Sequence, residues 1–173
     1  MTDILLLVLK DFSIAFVVGF CWAILFGSPF RVLWVAGLLG GAGHSLRFVL
    51  LQLGVGIIPA TLMASVMIGL VGIYVSHKIK NPPVVFTMPA CITMIPGMFA
   101  YRTMLAGIKI TDIQTFESDP HILIDMTHNF MLTVSLLFSL AIGICIGALL
   151  FRKSSTKDIR FSLFRRKDDR SAC

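Results

Sequence analysis

His44 and Arg47 stand three residues apart in the segment GGAGHSLRFVL, within a run of apolar residues. That spacing puts both side chains on one face of a helix. A guanidinium at bilayer depth costs at least ~2.5 kcal/mol on insertion scales, so Arg47 must meet a partner, water or an anionic ligand. The bland alternative is a shallow segment whose Arg47 reaches the headgroups. A second group of residues lies in VVFTMPACITMIPGMFAYRTMLAGI, where Pro89, Pro96 and Gly97 interrupt an apolar run. Pro96 cannot donate to the carbonyl of Ile92, and Gly97 lowers the cost of a bend, which predicts a break near mid-span. The half-helix after Pro96 is expected to present the amides of Gly97 and Met98, and such a terminus favours an anion. Thr93 and Tyr101 offer hydroxyls near the same level, and Asn129 a carboxamide from the last span. The expected chemistry is recognition of a carboxylate by Arg47 and the Gly97 amides, with His44 and Thr93 on the ligand's other polar groups. A proline kink without a ligand is the competing reading. Asp11 is the single carboxylate deep in an apolar run. His44 and then Asp11 are the candidates for carrying a proton. With no other buried acid to meet an ammonium group, a dicarboxylate fits slightly better than an amino acid unless a partner supplies the acid.

The elements that must position these groups are membrane helices. The chain has 173 residues, 57% hydrophobic and 14% charged, with a mean hydropathy of +0.90. No soluble domain of this size carries that composition on its surface. Runs near 4–27, 59–77, 84–108 and 128–151 are long enough to cross a bilayer at about 20 residues per crossing. A fifth, 32–54, is long enough but contains His44, Arg47 and Gln52. Its Gly37, Gly40, His44, Arg47 and Gly54 recur on one face. The expectation is an all-α, polytopic membrane helix bundle of four to five spans, with five favoured and one span broken at Pro96–Gly97. Such interrupted spans are tolerated where they are buried in protein or line a polar cavity, and transporters use them as binding sites.

Residues 1–151 form one predicted transmembrane domain and 152–173 a basic tail. That tail carries eight Lys or Arg against three Asp, whereas 109–127 carries one Lys against Asp112, Glu117, Asp119 and Asp125. By the positive-inside rule the tail is cytoplasmic and 109–127 external, and five spans then put the N-terminus outside. The start, MTDILLLVLKDFS, has no basic n-region, so the first helix is expected to be retained. Alternating apolar and basic residues in IRFSLFRRK would let the tail touch an anionic leaflet, with membrane lipid as the partner.

Other chemistries find little support. Cys21, Cys91, Cys145 and Cys173 show no paired spacing, and the four histidines form no metal motif, so neither a metal nor another cofactor is expected. No nucleophile motif, Walker A sequence or dinucleotide loop is present, which argues against an enzyme. The basic residues concentrate where topology explains them, so nucleic acid is not an expected partner. Gly143 and Gly147 form GxxxG after Ser139, and Ser65 and Gly69 form another small-residue pair; contacts within the chain are expected from both.

GGAGHSLRFVL, MASVMIGLVGIYVS and FTMPACITMIPGMFAYRTMLAGIKI resemble the second domain of the threonine/serine exporter family, over about Phe12 to Phe151. The likeness extends to the form made as a separate small inner-membrane subunit of two-component succinate exporters. It implies export of a small carboxylate metabolite, a dicarboxylate such as succinate or else threonine or serine, across the bacterial inner membrane. It also implies a larger multi-span partner resembling the family's first domain. The family-like positions are Gly40, Gly43, His44, Arg47, Pro96, Gly97, Tyr101, Asn129 and Phe130. The alternative is an accessory subunit that moves nothing itself and stabilises or localises that partner.

Overall fold

A computed structural model describes residues 2–111 and 121–150. All regular structure among them is helical: α1 (Thr2–Leu25), α2 (Phe30–Gln52), α3 (Ile57–Ile79), α4 (Val84–Ile92), α5 (Gly97–Ile110) and α6 (His121–Leu150). Four of these are long and apolar enough to cross a membrane, and α4 with α5, bent by 58°, makes a fifth span when counted together. The chain is a polytopic membrane helix bundle. The predicted tail 152–173 and the segment 112–120 lie outside the described residues.

The first two connections are short because glycine ends each helix. Gly27 (φ 64°) and Gly54 (φ 83°) take the left-handed conformation. At the first, the Gly27 amide donates to Ile24 and that of Ser28 to Ala23; at the second, Gly54 donates to Leu51 and Val55 to Leu50. Both are the two-bond C-cap that closes a helix with its carbonyls satisfied. Gly54 is therefore a terminator of α2, not part of the polar face on which the sequence pattern places it.

α2 is the central element. It packs against α1 and α4 on one side and α3 on the other, while α6 lies on α3 and carries α5. Close approach depends on missing side chains. A Cβ at Gly37 would stand 2.9 Å from the Phe16 ring, and one at Gly41 2.9 Å from that of Phe12. α1 thus lays Phe12 and Phe16 across the glycines of α2, with Phe20 and Trp34 extending the aromatic row. Val32, Leu33, Ala36, Ile68, Phe86, Ala90 and Met94 form the core beneath. On the other flank, Gly143 of α6 sits directly against Ser65 of α3, whose hydroxyl donates to the carbonyl of Ser139 at 3.1 Å. The two small-residue patterns meet each other inside the chain, at Ser65, Ser139 and Gly143.

The break sends the two halves of one span to different neighbours. α4 joins α1, α2 and α3, whereas α5 packs on α6 and has no buried residue. Pro89 lies buried inside α4 without ending it. The interruption falls at 93–96, where Pro96 (φ −77°, ψ 59°) makes an inverse γ-turn closed by the Gly97 amide on the Ile95 carbonyl at 2.8 Å.

Candidate functional site

Three helices bring together groups that are far apart in sequence. Asp11 of α1 and His44 of α2 approach to 2.8 Å, carboxylate Oδ2 to imidazole Nδ1. One Arg47 nitrogen lies 3.2 Å from His44 Nε2, and another donates to the carbonyl of Met94, in the break, at 3.1 Å. A guanidinium has no lone pair to offer, so Nε2 must be the acceptor and Nδ1 carries the proton it donates to Asp11. The chain of bonds runs from a carboxylate through a neutral imidazole and a guanidinium to an open carbonyl. One negative and one positive group, Asp11 and Arg47, stand at its two sides, which balances charge where both are half-buried.

The break pairs several of its backbone groups internally. The Ala90 carbonyl accepts from Thr93 Oγ1 at 2.7 Å, Cys91 from the Met94 amide, Ile92 from that of Ile95, and Pro96 from that of Ala100. At Met94 the donor comes from a side chain of another helix, Arg47. Arg47 therefore ties the end of α4 to α2, and it finds its partners inside the chain.

Asp11, His44 and Thr93 line one small cavity with Ile14, Ala15 and Val18. Its volume is about 90 Å³, well below the ~300 Å³ at which small-molecule sites usually begin. The site is closed around its own hydrogen-bonded pair, Asp11 and His44. Both members keep contact with the outside: the His44 side chain is 23% exposed and that of Asp11 20%.

The remaining predicted residues are placed elsewhere. Gly97 and Met98 are exposed at the start of α5, and a Cβ at Gly97 would meet nothing within 4 Å. The Gly97 amide is spent on Ile95, so it does not stand free beside Arg47 as the sequence pattern suggests. Pro96 is buried in the turn, and Tyr101 is 61% exposed on α5. Asn129 belongs to a different cavity, of about 500 Å³, between α5 and α6. Its amide nitrogen donates to the Asp125 carbonyl at 2.7 Å. Arg102 and Lys109 of α5 and Asp125 and His128 of α6 share this second cavity. The pairing of Asp11 with His44 was outside what spacing reveals, since 33 residues separate them. The Met94 carbonyl was foreseeable in kind, because a break always leaves carbonyls to be paired.

The arrangement joins a carboxylate to a guanidinium through an imidazole, with a bent span attached to the guanidinium. No solved structure matches the chain. A family model described as Threonine/Serine exporter, ThrE, matches residues 11–150, which include every helix of the bundle from Asp11 onward. On that match, and with several apolar helices long enough to cross a bilayer, the chain is a multi-pass membrane protein that belongs to the threonine/serine exporter family.

Proposed function

We propose that this chain is the substrate-handling subunit of a secondary exporter moving a small carboxylate metabolite across the bacterial inner membrane, together with a larger multi-span subunit resembling the first domain of its family. The observation that carries the reading is Arg47, shared between His44 and the Met94 carbonyl. A substrate carboxylate gives Arg47 a bidentate, charge-assisted pair, stronger than its two neutral acceptors. An arriving substrate therefore draws the guanidinium off the break. The tie between α2 and the end of α4 is lost, and the 93–96 turn becomes the hinge about which the α1–α4 group and the α5–α6 pair exchange position. The 90 Å³ cavity is the closed state of this cycle.

His44 couples the step to protons. A proton on Nε2 and the bond from Arg47 exclude each other, because both nitrogens of the imidazolium are donors. Protonation leaves Asp11 to neutralise His44 and frees Arg47 for the anion. Asp11 also changes the balance between substrates. It is an acid facing the same cavity as His44, so an ammonium group has a partner there, and threonine or serine fits the site at least as well as succinate. The positive-inside rule supports a cytoplasmic 152–173 tail and an external α5–α6 end.

One observation favours the accessory reading. α5 has no buried residue and exposes Met98, Tyr101, Met104 and Ile108, a surface on which a partner can rest without any cavity being used. Efflux of preloaded, labelled threonine and succinate from cells lacking endogenous exporters separates the two. The exporter reading expects efflux with chain and partner together and its loss in Arg47→Ala. Partner-dependent efflux that survives Arg47→Ala assigns the site to the partner and makes this chain a scaffold.

A further inference from the structure

The cavity between α5 and α6 holds residue types like those of the closed site, arranged in the opposite way. Arg102 and Lys109, two turns apart on α5, stand on one wall, and Asp125 and His128 of α6 stand on the other. Among the described residues the acid–base contact within 4.0 Å is that of Asp11 with His44. Arg102 and Lys109 thus share a cavity with Asp125 without closing on it. Its volume of about 500 Å³ lies inside the ~300–1,000 Å³ range of small-molecule sites. Phe99 and Ile122 supply an apolar part of the lining. Asn129 has its amide nitrogen tied to the Asp125 carbonyl, which leaves its amide oxygen to accept.

We propose that this cavity is a second ligand site, selective for a small zwitterion, in which Asp125 is the residue that rejects a dianion. Arg102 and Lys109 take the carboxylate and Asp125 the ammonium group, while a dicarboxylate of the same size gains the cations and is repelled by the acid. The Asn129 amide oxygen and His128 are placed for a hydroxyl. Because its lining runs along α5 from Phe99 to Lys109 and along the first turns of α6, it is the place where solute is handed to the outer face. That last step rests on the exporter reading; binding itself does not.

The test uses the full chain with its native cysteines replaced by alanine and Ala106→Cys, a lining position, introduced. It is labelled by a membrane-impermeant maleimide in vesicles that are also assayed for efflux. Threonine and serine are expected to slow labelling, and succinate at equal concentration much less. Asp125→Asn is expected to weaken threonine protection by roughly fivefold, the factor a partly hydrated ion pair supplies, and to let succinate protect. Arg102→Gln weakens protection by both. The proposal is overturned if threonine gives no protection in vesicles that still export, if Ala106→Cys is not labelled at all, or if succinate protects as well as threonine and Asp125→Asn changes neither. Protection without efflux would leave this site standing and remove the exporter reading instead.

Discussion

Asp11, His44 and Arg47 at the break, and Asp125, His128 and Arg102 between α5 and α6, are the same three residue types in two environments. The first set is bonded throughout, with contacts of 2.8 to 3.2 Å around a cavity of about 90 Å³. The second lines about 500 Å³, with no ion pair among its described members. Burial explains the difference. Asp11, His44 and Arg47 are half-buried, where an unpaired charge is costly, so the chain pairs its own groups and a ligand must displace them. Arg102, Asp125 and His128 are exposed, and a ligand there has no such bonds to displace. A site that must be opened can govern movement; a site already open can only collect or release.

The largest effect is expected at the closed site. Arg47→Ala should lower efflux at least about a hundredfold, since the substrate carboxylate would lose its charge-assisted partner, a loss of ~3 kcal/mol. Immunodetection in the membrane fraction would check that the protein still inserts. Arg47→Lys is not expected to rescue it, because an ammonium lacks the planar fork that spans His44 Nε2 and the Met94 carbonyl. Efflux by the lysine variant near the wild-type rate would show that point charge alone suffices.

Packing separates the two regions next. Gly143→Val drives a side chain into Ser65 and should destabilise the α3–α6 contact by about 1–3 kcal/mol, read as a lower unfolding midpoint in detergent. Gly97→Leu, at a position open within 4 Å, should leave that midpoint unchanged. Should Gly97→Leu still abolish efflux, the exposed start of α5 is where substrate or partner arrives.

Protonation gives a smaller effect. His44→Gln, which keeps an acceptor for Arg47 and cannot take a proton, should flatten the pH profile of efflux. An unchanged profile in that variant would place the coupling proton elsewhere.

Much of the bundle was legible in the sequence. Apolar length marks the spans, and Pro96 marks the break. What could not be read was which face meets which neighbour. Gly37 and Gly40 look like one polar stripe with His44, yet Gly37 receives the ring of Phe16 while Gly40 approaches Ala15, Ala90 and Thr93. Asn129 looked like part of the mid-span site, but α6 is held by α3 and α5 and carries it to the other cavity. Local bonding hid the rest. Thr93 turns its hydroxyl to Ala90 and the Gly97 amide turns to Ile95, because a break in lipid satisfies its own backbone before it offers anything to a ligand.

The most direct test sets Arg47→Ala beside Arg102→Ala, at equal membrane abundance and with the partner present, and measures initial threonine efflux against internal concentration. The account predicts no measurable efflux from Arg47→Ala, and from Arg102→Ala a slower efflux that still saturates. Efflux retained in Arg47→Ala and lost in Arg102→Ala would contradict it, moving the governing site from the break to the cavity between α5 and α6.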